Sequence, residues 1–171
     1  AFTSRGGINY LFDNGITPYF SYSESFEPIS GTTQGGKPFD PARGKQYEAG
    51  VKYVPKDLPV VVTAAVYQLT KNNNLTADPA NPTSGFSVQG GEIRSRGFEL
   101  EAKAAVSANV NVTASYSFTD AKYTHDTWYE GRRPAEVPRN MASLWADYTF
   151  HETALSGLTV GAGTRYIGNT V

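Results

Sequence analysis

The residues best equipped for chemistry lie in one short segment, which holds Tyr123, Trp128, Tyr129, Arg132 and Arg133. Aromatic rings and guanidinium groups are the usual anchors of recognition surfaces, so these five are the candidate ligand-binding residues. The plainer reading is a loop whose rings pack on one another. His125-Asp126, with Asp120 nearby, and His151-Glu152 place imidazole beside carboxylate. That pairing could hold a metal or run acid–base chemistry. A hydrolase would also need a nucleophile within hydrogen-bond reach of its base. Serines are many, so no Ser–His pairing stands out, and lone loop histidines are ordinarily solvated. Glu99 and Glu101 sit two apart, on one side of a strand. Paired carboxylates suggest glycosidase chemistry, but Lys103 on the same face makes ion pairing the better reading. Gly161-Ala162-Gly163 lacks the third glycine and the helix of a dinucleotide site. Asn74-Leu75-Thr76 and Asn111-Val112-Thr113 match the glycosylation pattern, which a bacterial chain would leave unused. No catalytic residue, metal or cofactor is expected.

The chain has no cysteine, which removes disulfides, thiol catalysis and thiolate metal sites. Net charge is −1 over 171 residues, so neither nucleic acid nor a simple electrostatic membrane surface is indicated as partner. Eleven Tyr, nine Phe and seventeen Gly favour an all-β chain. Mean hydropathy is −0.40, and no apolar run approaches the roughly 18 residues of a membrane helix. A membrane β-barrel reads the same way, because every second residue faces a polar lumen. No basic segment followed by an apolar run opens the chain, so no signal peptide is expected.

The elements that must position the candidate residues are clearest at 93–121. One arm places Phe98, Leu100, Ala102, Ala104 and Val106 on one face, against Ser95, Gly97, Glu99, Glu101 and Lys103. After Ser107-Ala108-Asn109, the second arm places Val110, Val112, Ala114, Tyr116 and Phe118 against Asn111, Thr113, Ser115 and Ser117. Strict period-2 alternation marks strands with one apolar and one polar face. Each arm exceeds the usual strand of about 5–6 residues and suits the roughly 9–11 tilted residues that cross a bilayer.

The same pattern predicts further strands over about 3–11, 16–26, 45–53, 60–70, 137–150 and 158–166. For the strand at 60–70, Val61, Ala65, Tyr67 and Leu69 are taken as the apolar face. Asn14-Gly15 is a strong hairpin signal. Long connections rich in Gly, Pro, Ser, Thr and Asn are predicted at 27–44, 71–90 and 122–136. Phe39 and Phe86, in the first two, are weaker ligand candidates. Connections thus alternate short and long. The fold expected is an all-β, antiparallel up-and-down meander of about eight long strands, a segment of a transmembrane β-barrel. Tyr53, Tyr116, Phe118, Tyr148, Phe150 and Tyr166 near strand ends would supply its interfacial girdles.

Alternation does not say which face points inward. A self-contained soluble eight-stranded carrier of a lipophilic ligand would put the apolar face inside; a membrane barrel puts it outside. Glu48, Lys52, Glu99, Glu101, Lys103, Asp147 and Arg165, interspersed with Gly and Ser on the other face, favour a charged lumen. A barrel hydrolase using His125 is a third possibility.

The segments RGGINYLFDNGITPYFSYSESFEP, GKQYEAGVKYVP, EIRSRGFELEAKA, YSFTDAKY and VPRNMASLWADYTF occur in this order. Together they resemble the latter part of the barrel of TonB-dependent outer-membrane receptors, most nearly the ferrichrome-type hydroxamate siderophore receptors. The resemblance spans essentially the whole chain. It implies a place in the bacterial outer membrane, in contact with its lipid. It implies a parent that binds a ferric hydroxamate siderophore and imports it with TonB acting through an N-terminal plug domain. It also implies possible use of the loops by phage or bacteriocin. The plug, a TonB-box segment and the last strands find no counterpart among these residues. The chain is therefore expected to be barrel wall and loops, associating or requiring detergent if isolated.

Overall fold

The computed structural model describes residues 2–80, 83, 85–152 and 154–170. It contains eight strands: β1 Arg5–Asn9, β2 Ile16–Glu27, β3 Ala42–Tyr53, β4 Val60–Ala77, β5 Ser87–Ala105, β6 Val110–His125, β7 Asn140–Thr149 and β8 Thr159–Ile167. They form one sheet in sequence order, every neighbouring pair antiparallel. This is the predicted meander.

Turn chemistry fixes its short ends. The Asn14-Gly15 turn is closed by Phe12 N donating to Ile16 O at 2.9 Å, and Asn14 Oδ1 accepts from Ile16 N. Gly15 has φ +83°, a left-handed conformation that favours glycine. Its backbone also lies against Val54 O, leaving no room for a Cβ. At the next such end but one, Ser107 Oγ accepts from the amides of Asn109 and Val110.

The register aligns the apolar residues into cross-strand rows. Phe20, Ala49, Val66, Phe98 and Phe118 make one; Pro18, Val51, Ala64, Leu100, Tyr116, Ala142 and Tyr166 make the next. Val66 and Ala64 belong to these rows, so the apolar face of β4 is Val60, Val62, Ala64 and Val66. The assignment of Val61, Ala65, Tyr67 and Leu69 to that face is therefore wrong. Both parities of β4 are apolar in sequence, and only pairing with β3 and β5 decides between them. Tyr67 instead lies over Gly97 on the polar face, its hydroxyl 2.9 Å from Thr119 Oγ1.

The strands also run further than alternation indicates. β4 continues to Ala77 and β5 begins at Ser87, with register shifts at Lys71–Asn74 and Asn74–Leu75. Asn73 takes φ +61° there, a conformation Asn tolerates. The predicted connection at 71–90 thus shrinks to 78–86. Polar residues can hold an antiparallel ladder because its bonds are backbone bonds, and apolar periodicity is blind to such extensions. β6 likewise reaches His125.

Among the described residues the only buried hydrophobics are Ala42, Ala65 and Ala121. A single curved layer has no second layer to bury its apolar face. Along β3 that face (Tyr47, Val51, Tyr53) is exposed while Gln46, Glu48 and Gly50 opposite are half-buried. Along β3 shielding is thus the inverse of a soluble calyx, with the polar face the more sheltered one, whereas on β5 Glu99, Glu101 and Lys103 are as exposed as Phe98 and Leu100.

Candidate functional site

The lumenal wall is built from the polar rows. Tyr19 reaches across Gly50 and donates from its hydroxyl to Glu48 Oε1 at 2.8 Å; Gln46 Nε2 donates to Glu48 Oε2 at 3.1 Å. Glycine is required beneath that ring, because a Cβ at Gly50 would lie 2.6 Å from Tyr19 Cζ. Trp145 covers Gly161 and Gly163 in the same manner. Sequence reading missed Tyr19 and Tyr67 as lumenal groups. Their signal was an aromatic paired across strands with a glycine. Tyr19, Thr63, Glu99, Glu101, Ser115 and Ser117 line a depression of about 280 Å³. Glu101 pairs with Lys103 at 2.8 Å, as expected of a charged lumen.

Above this wall is the mouth. Tyr123, expected in a loop, is a strand residue of β6 opposite Ile93, itself opposite Lys71. Its parity with Thr119 and Ser117 puts it on the lumenal side. The chain then turns back over it. Gly131 N donates to Tyr123 O at 2.8 Å and Tyr123 N to Arg132 O at 2.9 Å. Asp126 Oδ1 accepts from the amides of Trp128 and Tyr129, both at 2.9 Å. The Tyr123 and Tyr129 rings consequently meet at 5.9 Å. Thr127 ties the segment to β4, through its amide to Thr76 Oγ1 and its hydroxyl to Ala77 O.

Of the five candidates, the structure brings Tyr123 and Tyr129 together and leaves Trp128 exposed beside them. Arg132 is exposed. Arg133 is half-buried and donates from Nη2 to Val137 O at 3.0 Å, so it braces the loop. Across the mouth Lys71 Nζ pairs with Glu27 Oε2. Hydrogen bonding to Lys71, then its charge, hold the Glu27 carboxyl below the usual carboxylate range.

The histidine readings find no assembled chemistry. Asp126 is occupied by backbone amides, and Asp120 by Lys122 and Arg139. His151 Nε2 lies 3.1 Å from Ala108 O in a short turn. Among the described residues no group of three or more His, Cys, Asp or Glu could hold a metal.

A sheet with an exposed apolar face, an opposite face of charged and polar residues, tight turns at one end and long strand extensions at the other defines the wall of an outer-membrane β-barrel. The family follows from comparison: the TonB dependent receptor-like β-barrel model matches residues 1–171, and the chain belongs to that family. It is 67% identical over 169 residues to the Escherichia coli ferrichrome outer membrane transporter/phage receptor, covering 99% of this chain and 22% of that protein. It is 41% identical to the Salmonella typhimurium ferrioxamine B receptor, over 96% of the chain and 23% of the relative. The alcaligin outer-membrane receptor FauA from Bordetella pertussis superposes with a TM-score of 0.75 at 26% identity, over 98% of this chain and 29% of that one. The chain spans about a quarter or less of the length of the curated relatives just named. Its location is the outer membrane, and the apolar rows face lipid.

Proposed function

We propose that these strands are part of the wall and mouth of a receptor that imports a ferric hydroxamate siderophore of ferrichrome type. The observation that carries this reading is the 67% identity to the ferrichrome transporter, spread across 99% of the chain. Import would be energised by TonB through a plug domain seated against the lumenal face. The half-buried polar network around Tyr19 and Glu48 suits such a partner, since buried polar groups need hydrogen-bonding neighbours. At the mouth, Tyr123, Tyr129 and Trp128 offer aromatic faces and Arg132 a donor to the siderophore. Arg133 holds their loop. The relative's name also carries phage reception, which the exposed loops would serve here. An enzymatic role has no support in this geometry, and a soluble carrier would need its apolar face sheltered.

The test is titration of the full-length receptor with ferrichrome and with a ferric catecholate, read by quenching of intrinsic fluorescence. Ferrichrome is expected to bind, and iron-limited growth of a receptor-null host to be restored by it. Binding of the catecholate alone would overturn the ligand class.

A further inference from the structure

The uppermost lumenal rows of β2 to β6 carry little charge. The lowest of them holds Ser23, Gln46, Leu69, Ser95 and Ala121; the next holds Ser25, Gly44, Lys71, Ile93 and Tyr123; Glu27 and Ala42 begin the one above. Lys71 and Glu27 are the only residues among these with a formal charge, and they pair with each other through Nζ and Oε2. On β1, Arg5 extends the lowest row beside Ser23, and Arg132 is exposed on the loop above. These rows therefore present cations, amides and hydroxyls, and their one carboxylate is masked.

The fold prepares this pair. Lys71 on β4 reaches over β3 to Glu27 on β2, and the positions between them are Gly44 and Ala42, which carry no long side chain. Lys71 is also the last residue of β4 to keep its register before the shift at Lys71–Asn74. Bulges are frequent at barrel rims, where they re-aim side chains. This one anchors the neighbouring loop as well: Asn73 Nδ2 donates to Pro41 O at 3.3 Å, and Gln89 Oε1 accepts from Asp40 N at 2.8 Å. Both charged groups stay open to the mouth, Lys71 at 39% and Glu27 at 67% exposure. Lys71 stands two strands from Tyr123 in one row, or about 10 Å.

Resting on the hydroxamate reading above, we propose that the Lys71–Glu27 pair sets the charge specificity of the receptor. With Glu27 masked, the mouth favours an uncharged ferric hydroxamate over one that carries an ammonium group. Without Lys71, Glu27 is a free carboxylate facing the site and attracts that cation. Across about 10 Å, one unit charge alters the binding of another roughly twofold at the dielectric of water and roughly fifteenfold at an effective value near 20. Salt screens the effect. An exposed pair adds little to folding, so its variants remain folded receptors.

The experiment is fluorescence-quenching titration of the full-length receptor in detergent with ferrichrome, which is uncharged, and with ferrioxamine B, which carries one ammonium group. The readout is the ratio of the two Kd values. Wild type is expected to favour ferrichrome. K71Q is expected to shift the ratio toward ferrioxamine B by about two- to fifteenfold, and the shift to shrink in about 1 M salt. E27Q/K71Q removes both charges and should return the ratio to that of wild type, which separates charge from packing. K71R keeps the pair and should keep the ratio. K56Q, in a short turn at the other end of the wall, should match wild type. A wild-type preference for ferrioxamine B, an unchanged ratio in K71Q, an equal shift in E27Q/K71Q, K71R or K56Q, or a shift indifferent to salt overturns the proposal. Wild type that binds neither hydroxamate overturns the ferrichrome reading itself, whereas ferrichrome binding with an unmoved ratio overturns the charge assignment alone.

Discussion

The face assignment of β4 has a sharp consequence at two adjacent residues. Ala64 pairs with Val51 and Leu100 in a lipid-facing row, near the middle of the apolar span that runs from Val60 to Val66. Thr63 pairs with Lys52 and Glu101 on the lumenal face. An arginine on the lipid face at the bilayer midplane costs about 2–4 kcal/mol, or roughly 30- to 900-fold in the folding equilibrium. At Thr63 the same side chain enters a polar lumen opposite a carboxylate, where its cost should fall within about 1 kcal/mol. Ala64→Arg is therefore expected to be far more damaging than Thr63→Arg in the full-length receptor. Reversible unfolding in phospholipid vesicles by urea or guanidinium, followed by tryptophan fluorescence, measures both. Comparable costs at the two sites, or the greater cost at Thr63, would refute the register-based assignment and restore the one that alternation suggested.

Two further expectations concern the mouth. The Glu27 carboxyl titrates below its usual range because Lys71 stabilises the anion. The pair therefore adds stability above the ordinary carboxylate range and loses it as pH falls through the lowered folded value. An NMR titration of Glu27 should show that depression relieved in Lys71→Ala; an unchanged midpoint would mean the pair does not form. Asp126→Ala removes the acceptor for two amides, and caps of this sort are worth about 1 kcal/mol. Faster hydrogen exchange at Trp128 and Tyr129, with weaker ferrichrome binding, should follow. Faster exchange with unaltered binding would place the siderophore away from this loop.

The meander, its turns and the two faces of the 93–121 hairpin were legible because they rest on local rules. Asn14-Gly15 encodes its own turn, and Phe98 to Val106 alternates strictly. β4 failed because Val60-Val61-Val62 and Ala64-Ala65-Val66 satisfy both parities. Its extension past Thr70 failed for a different reason. Lys71, Asn72, Asn73 and Asn74 carry no apolar periodicity, yet Lys71 and Asn74 pair with β5 on either side of a bulge. Within the mouth, the aromatic cluster was legible by composition. The distinction between Tyr129, which meets Tyr123, and Arg133, which braces a carbonyl, needed the fold.

Strand extension changes what kind of site the mouth is. Had Tyr123 been a loop residue, its ring would be positioned only by loop contacts. As a member of β6, paired with Ile93, it is fixed by the same ladder that holds Phe118 against lipid. The returning segment is pinned at Asp126, Thr127 and Arg133, so Tyr129 is brought to a ring that is already placed. A rigid ring saves the ordering cost that a mobile one would charge against binding.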